Sequence, residues 1–148
     1  MIPDHDAFGN LPPGIHQADW SELEARFGGT PHRRQLLAGL RRAAENLKAA
    51  RCRWLYVDGS FVTTKVDPSD FDGCWDPVNV DGALLDPVLL TFDPGRLIQK
   101  VKYGGELFPS SVRAKMTPPW RTFVEFFQED SRTGARKGII EVDLERLT

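Results

Sequence analysis

The pattern of apolar and polar positions predicts two helices in the first third of the chain. Asp19 is the expected N-cap of the first, and a glycine pair after residue 27 ends the pattern. Thr30 and Pro31 are typical of the N-cap and first position of a second helix, which should run to about residue 50. The apolar stripe of this second helix consists of Leu36, Leu37, Leu40, Ala43, Ala44 and Leu47. We expect the basic residues off the stripe, Arg33 among them, to form a solvated face.

Strand-like runs follow in the rest of the chain. Residues 52–57 and 70–75 are rich in aromatic and branched side chains, which predicts two consecutive strands. Residues 96–103 have the spacing of a short helix that ends at a glycine pair. Residues 123–128 and 138–144 predict the two strands of a hairpin.

This order of elements predicts an α+β fold, in which a small mixed sheet packs against N-terminal helices. With 148 residues the chain suffices for one domain and is too short for two of ordinary size. We expect residues 1–50 to form an N-terminal arm and the two helices, and residues 51–148 to form the core, in one compact domain overall. Proline and glycine in residues 1–18 indicate that the arm is irregular.

Charge and composition narrow the classes of function. A net charge of −2, from 19 basic and 21 acidic residues, gives no overall attraction to nucleic acid or to an anionic membrane. The chain has no long apolar segment and no signal-peptide pattern at its start, so we expect a cytoplasmic protein without a membrane partner. Cys52 and Cys74 are then expected to be buried thiols and not a disulfide.

Two short motifs carry candidate chemistry. Side chains at i and i+2 of a strand point to the same face, so Asp70 and Asp72 should project together, about 6 to 7 Å apart along the chain. Two carboxylates so placed can share a divalent cation, and Mg²⁺ prefers such oxygen ligands. Upstream, the strand at 52–57 leads into Gly59 and Ser60, where a backbone without Cβ allows close approach of a phosphate and the hydroxyl can bind it.

These motifs together resemble the signature of the DNA polymerase beta superfamily of nucleotidyltransferases, especially the minimal type. The resemblance covers residues 54–76 well and the rest by order of elements. It implies a sheet of the nucleotidyltransferase type, Mg²⁺ on Asp70 and Asp72, and an NTP whose phosphates meet a short helix opened by Gly59 and Ser60. Lys65 would offer a positive charge to the same phosphates. The stretch also looks like a family of small uncharacterised bacterial proteins with this core, many of which belong to toxin–antitoxin modules.

The resemblance further implies a third carboxylate from a neighbouring strand. Glu125 and Asp143 are the candidates. Glu125 is the preferred one, because an acid in the middle of an apolar strand requires a cation or a base beside it.

Two main hypotheses of function follow, with a third behind them. The first is a Mg²⁺-dependent enzyme that transfers a nucleotide monophosphate from an NTP to an RNA (such as tRNA) or to a protein, as the toxin of a toxin–antitoxin pair. The alternative is a catalytically weak or inactive antitoxin or interaction module of the same fold, which a spacer shorter than the usual minimal-type pattern favours. The third is a nucleotide sensor that binds NTP without transferring it.

Overall fold

A computed structural model describes residues 1–115 and 117–148, and a mixed sheet forms its centre. Within these residues five strands form one sheet: β1 (Gly14–Gln17), β2 (Trp54–Asp58), β3 (Phe71–Trp75), β4 (Gly105–Pro109) and β5 (Gly138–Asp143). The helices are α1 (Trp20–Phe27), α2 (Pro31–Ala49), α3 (Leu97–Tyr103) and α4 (Phe123–Phe126).

The strands are arranged in the order β1-β5-β2-β3-β4. The central strand β2 runs antiparallel to both β5 and β3, whereas β1 lies parallel to β5 and β4 lies parallel to β3. The predicted α+β class with a mixed sheet is therefore confirmed.

Helices α1 and α2 cover one face of the sheet. Asp19 accepts a hydrogen bond from the backbone N–H of Glu22 (2.9 Å) and Thr30 accepts one from that of Arg33 (3.1 Å), so both predicted helix starts are confirmed. All six residues of the predicted α2 stripe are buried, in one core with inward-facing sheet residues such as Leu55 and Val57. Burial of this apolar surface is the main force holding the helices to the sheet.

The other face of the sheet carries a smaller apolar cluster. Cys74, Phe127 and Ile139 are its buried members, and Phe108 and Phe123 pack against them. Cys52, in the larger core, and Cys74 are both buried free thiols, as expected, and burial raises the pKa of the Cys52 thiol to about 12.

The predicted strand at 123–128 is wrong, and of the predicted hairpin the structure keeps the turn, closed by an isolated antiparallel bridge between Glu129 and Arg136. Residues Phe123–Phe126 form α4, because the Thr122 side chain accepts a hydrogen bond from the backbone N–H of Glu125 while the Glu125 carboxylate accepts one from that of Thr122. Such a reciprocal capping box satisfies two donors that a first helical turn otherwise leaves unpaired. The other half of the predicted hairpin is a strand, β5, which pairs with β1 and β2.

Two strands lie where the sequence predicts none. β1 lies in the arm that we expected to be irregular, and it adds an edge strand beside β5. β4 follows the glycine pair at the end of α3 and forms the opposite edge beside β3. Both begin with glycine, β4 ends in proline, and both have few of the branched and aromatic residues that mark β2 and β3, so their composition does not distinguish them from a loop.

Among the helices of the described residues, none has the length and apolar character needed to cross a bilayer.

Candidate functional site

Sheet register places three acids in one row. Asp58 at the end of β2 is the register partner of Asp72 on β3, and Asp72 is the register partner of Glu106 on β4. Register partners in a sheet point to the same face, so the three carboxylates are neighbours. Asp70 lies two residues before Asp72 and adds a fourth carboxylate on this side. The row lies on the face opposite the α1 and α2 layer, beside α4.

Three of these acids converge closely enough to hold one ion. Asp70, Asp72 and Glu106 are each partly buried and each offers an oxygen within 4.8 Å of the others. The structure thus brings Asp70 and Asp72 together, as the spacing predicts. It supplies the third carboxylate from Glu106, a residue that sequence reasoning missed because β4 was not recognised.

Neither predicted third acid lies in this cluster. Glu125 is exposed and its carboxylate caps its own helix, accepting hydrogen bonds from Thr122 N (2.9 Å) and Thr122 Oγ1 (2.8 Å). These hydrogen bonds lower the pKa of the Glu125 carboxyl. Asp143 pairs in register with Trp54, at the end of β2 away from Asp58. The preference for Glu125 was therefore based on a strand that does not form.

Burial, together with repulsion from nearby acids, raises the pKa values of Asp58, Asp70 and Asp72. Burial, followed by the charges of Asp70 and Glu106, raises the pKa of Asp72 to about 7. Burial also raises the pKa of Asp70 and brings that of Asp58 to about 6. Carboxylates with raised pKa values bind a proton or a cation readily at neutral pH.

Resident cations neutralise the row only in part. Arg96 Nε donates to Glu106 Oε2 (2.7 Å), and Lys100 Nζ lies between Asp70 Oδ2 (3.6 Å) and Glu106 Oε1 (3.5 Å). Lys137 Nζ lies 3.4 Å from Asp58 Oδ1, an ion contact that leaves this buried oxygen without a well-formed hydrogen bond.

Asp72 has no ion-pair partner among residues 1–115 and 117–148. It is therefore the least compensated charge of the row.

Gly59 is fitted closely against Asp72. Its φ of 81° lies in the region that favours glycine, and a Cβ built there would be 2.4 Å from Asp72 Oδ2. The turn therefore allows the backbone to lie directly against the Asp72 carboxylate, whereas the predicted approach of a phosphate to Gly59 stays a prediction. Ser60 then opens a three-residue 3₁₀ helix (Ser60–Val62), so a short helix begins where the resemblance implies one.

Arg33 fixes the segment that follows this turn. Its guanidinium donates to the carbonyl oxygens of Phe61 (2.7 Å), Thr63 (3.1 Å) and Lys65 (2.5 Å), as well as to that of Phe27. The expectation that Arg33 lies on a solvated face is wrong, since its side chain is buried by these carbonyls. The position of Arg33 in the helical pattern could not show that its side chain binds carbonyls more than 25 residues further along the chain.

The carboxylate row opens into a cleft of about 850 Å³. Asp58, Asp72 and Glu106 line it together with the predicted phosphate-binding residues Gly59, Ser60 and Lys65. Five phenylalanines form an aromatic wall of the same cleft: Phe8, Phe108, Phe123, Phe126 and Phe127. Phe108 and Phe123 stack with ring centroids 4.1 Å apart. This volume falls within the range of small-molecule and cofactor pockets.

Comparison with known proteins gives one match. A family model described as a family of unknown function (DUF6932) matches residues 3–143, nearly the whole chain. No curated protein and no solved structure matches the chain.

Proposed function

We propose that this chain, which belongs to the DUF6932 family of unknown function, is a Mg²⁺-dependent nucleotidyltransferase that acts on an NTP. The observation that carries the proposal is the row of carboxylates on adjacent strands, placed directly against the Gly59 turn at the floor of a cleft. Phosphoryl transfer requires groups that neutralise charge on the phosphate and groups that position it. In this proposal the acids and the Gly59 turn, which line the same cleft, supply these two functions.

The donor set fits a magnesium ion. Asp70, Asp72 and Glu106 offer only oxygen ligands, and a few carboxylates completed by water and phosphate are the usual surroundings of Mg²⁺. The Lys100 ammonium lies between two of these acids, as a cation would, and Asp72 has no ion-pair partner in the described part of the chain. Bound there, Mg²⁺ would neutralise charge on the transferring phosphate.

The chain's own residues supply binding and orientation. Gly59, Ser60 and Lys65 line the cleft. In this proposal Ser60 and the backbone of Gly59 would bind phosphate oxygens, and Lys65 would add a positive charge. The aromatic wall offers flat apolar surface on which a nucleobase can stack.

The reaction consistent with this site is a single displacement. An acceptor hydroxyl oxygen attacks the α-phosphorus of the NTP, and the bond from that phosphorus to the β-phosphate oxygen breaks. Pyrophosphate leaves, and the hydroxyl proton passes to a carboxylate of the row. As the acceptor we propose an RNA end, such as that of a tRNA, or a protein hydroxyl, and we place the reaction in the cytoplasm.

A second candidate function is a partner-binding module of the same fold with weak or no activity. Its support is the outer side of α3, where Leu97, Ile98 and Val101 are 62%, 47% and 80% exposed. Exposed apolar clusters of this kind are typical of interaction surfaces. The partner would be the cognate toxin or antitoxin.

Labelling with radioactive NTP and cell extract tests the proposal. We expect the wild-type protein to transfer label in the presence of Mg²⁺, and the Asp70→Asn/Asp72→Asn double variant to lose transfer. Glu106→Gln should lose at least about 100-fold, in the range seen when one group that stabilises transition-state charge is removed. Glu125→Gln is the matched control and should keep wild-type activity. Equal labelling by the wild type and the double variant would refute the assignment.

A further inference from the structure

Lys100 occupies an unusual position in the acidic row. It projects from α3, and its ammonium lies 3.6 Å from Asp70 Oδ2 and 3.5 Å from Glu106 Oε1. These two acids are members of the three-carboxylate cluster whose oxygens lie within 4.8 Å of one another. The ammonium is therefore in contact with two of the three groups that would hold a divalent cation.

Within residues 1–115 and 117–148 two other cations make ion contacts with the row: Arg96 is hydrogen-bonded to it, and Lys137 is more deeply buried than Lys100. Arg96 makes a charge-assisted hydrogen bond of 2.7 Å to Glu106 Oε2, and its guanidinium also lies over the Phe108 ring. Lys137 pairs with the more deeply buried Asp58, and its side chain is only 16% exposed.

Lys100 is held differently. Both its distances to carboxylate oxygen exceed the range of an N–H···O hydrogen bond, so the contact is mainly one of charge. Its side chain is 35% exposed and sits on a flexible four-carbon stem. Lys100 can therefore leave the row without breaking a well-formed hydrogen bond.

We propose that Lys100 competes with the divalent cation for Asp70 and Glu106, and that the lysine is displaced when the metal binds. This inference rests on the proposed metal site. The physical reason is that an ammonium touching the same carboxylates would lie only a few ångströms from a doubly charged ion, where repulsion between like charges is strong. The protein without nucleotide should consequently bind metal weakly, and phosphate oxygens from an NTP should be needed for tight binding.

Calorimetric titration with Mn²⁺ alone tests the competition. Lys100→Met and the more polar Lys100→Gln both remove the charge, and each should bind Mn²⁺ about tenfold or more tightly than the wild type. Lys100→Arg keeps a cation and should bind like the wild type. Lys102→Met is the matched control, since Lys102 lies on the same helix but pairs with Asp86.

The outcomes separate this inference from the proposed function. If the wild type binds Mn²⁺ and both neutral variants bind it equally or more weakly, the competition is refuted and the metal site stands. If neither the wild type nor any folded Lys100 variant binds Mn²⁺, the metal site and the competition both fail. If Lys100→Met binds Mn²⁺ more tightly than the wild type, and this gain is lost when Asp72→Asn is added, the result supports both the competition and the metal site. Circular dichroism of each variant checks that it is folded.

Discussion

Among single residues, Asp72 is the one on which the site depends most. Its carboxylate is largely buried, has acids on both neighbouring strands as register partners, and touches the Cα side of Gly59. Burial first, and then the neighbouring acids, raises its pKa to about 7. One side chain therefore links the geometry of the turn to the charge of the site.

Substitution of Gly59 by alanine should disturb both the geometry of the turn and the environment of the Asp72 carboxylate. The left-handed φ of 81° and the 2.4 Å contact with Asp72 Oδ2 predict a loss of about 2 to 4 kcal/mol in the free energy of unfolding, measured by urea denaturation.

Two other glycines separate the causes of this loss. Gly95 has a φ of 71° but open space around a Cβ, so Gly95→Ala should show backbone strain alone, about 1 kcal/mol. Gly82 has neither feature, and Gly82→Ala should be neutral or slightly stabilising. A Gly59→Ala loss no larger than that of Gly95→Ala would show that contact with Asp72 has no energetic consequence.

The raised pKa of Asp72 predicts a pH-dependent stability. In the unfolded chain this carboxyl ionises near its ordinary pKa of 3.8, whereas in the folded protein it retains its proton to about pH 7. The folded state therefore binds more protons between these values, and its stability should fall as pH rises from about 4 to 7.

Asp72→Asn removes this contribution. In metal-free buffer with chelator, the variant should be more stable than the wild type by about 1 to 3 kcal/mol at pH 8 and by little at pH 4. Urea denaturation at both pH values measures the difference. Asp58 is present in both proteins, so its titration does not account for a change in their difference. If the difference in free energy of unfolding between the wild type and Asp72→Asn is the same at pH 4 and pH 8, the assignment to Asp72 is contradicted.

At the scale of elements, two short segments decide the composition of the site. The sequence 123–128 has the apolar content of a strand, but the capping box of Thr122 and Glu125 starts a helix there. β4 has only five residues, follows the glycine that ends α3 and itself ends in Pro109, and its pairing with β3 stabilises it. No local pattern predicts β4, because a non-local strand partner determines it, whereas Thr122 and Glu125 have the spacing of a capping box, a local signal that the strand-like composition of 123–128 outweighed.

The segment after the Gly59 turn is held by α2 through Arg33, which yields a prediction at this scale. Arg33→Met leaves the carbonyls of Phe61, Thr63 and Lys65 without their donor, so the free energy of unfolding should fall by about 2 to 4 kcal/mol. Hydrogen–deuterium exchange of residues 61–65 should rise well above that of the wild type.

Arg34→Met serves as the neighbouring control. Arg34 is exposed and donates to a single carbonyl, that of Gly28, so its loss should change stability by about 0.5 kcal/mol or less. Equal protection of residues 61–65 in the wild type and in Arg33→Met would refute the role of Arg33.

At the scale of the whole molecule, the two faces of the sheet have separate tasks. The face under α1 and α2 holds the main apolar core, and the opposite face presents the carboxylate row to a cleft walled by aromatic residues. A ligand bound in this cleft would contact β2, β3, β4 and α4 at once, and so stabilise the folded state as a whole.

A non-hydrolysable NTP with Mg²⁺ should therefore raise the free energy of unfolding by about 2.7 kcal/mol at one hundred times its dissociation constant. Denaturant titration with and without ligand measures the gain. The Asp70→Asn/Asp72→Asn variant should show no gain from Mg²⁺ with the analogue. The same gain in the wild type and the double variant would mean that the ligand binds elsewhere.

The amino-acid sequence by itself determined the α+β class, the two N-terminal helices, the strands that carry the Gly59 turn and Asp72, and the closeness of Asp70 to Asp72. These features depend on caps, periodicity and spacing within a few residues. Only the tertiary structure decided that Glu106, Asp58 and Lys100 join the site and that Glu125 does not. Strand register, parallel pairing and burial bring together residues that are 14 to 34 positions apart in the chain, and no local pattern carries that information.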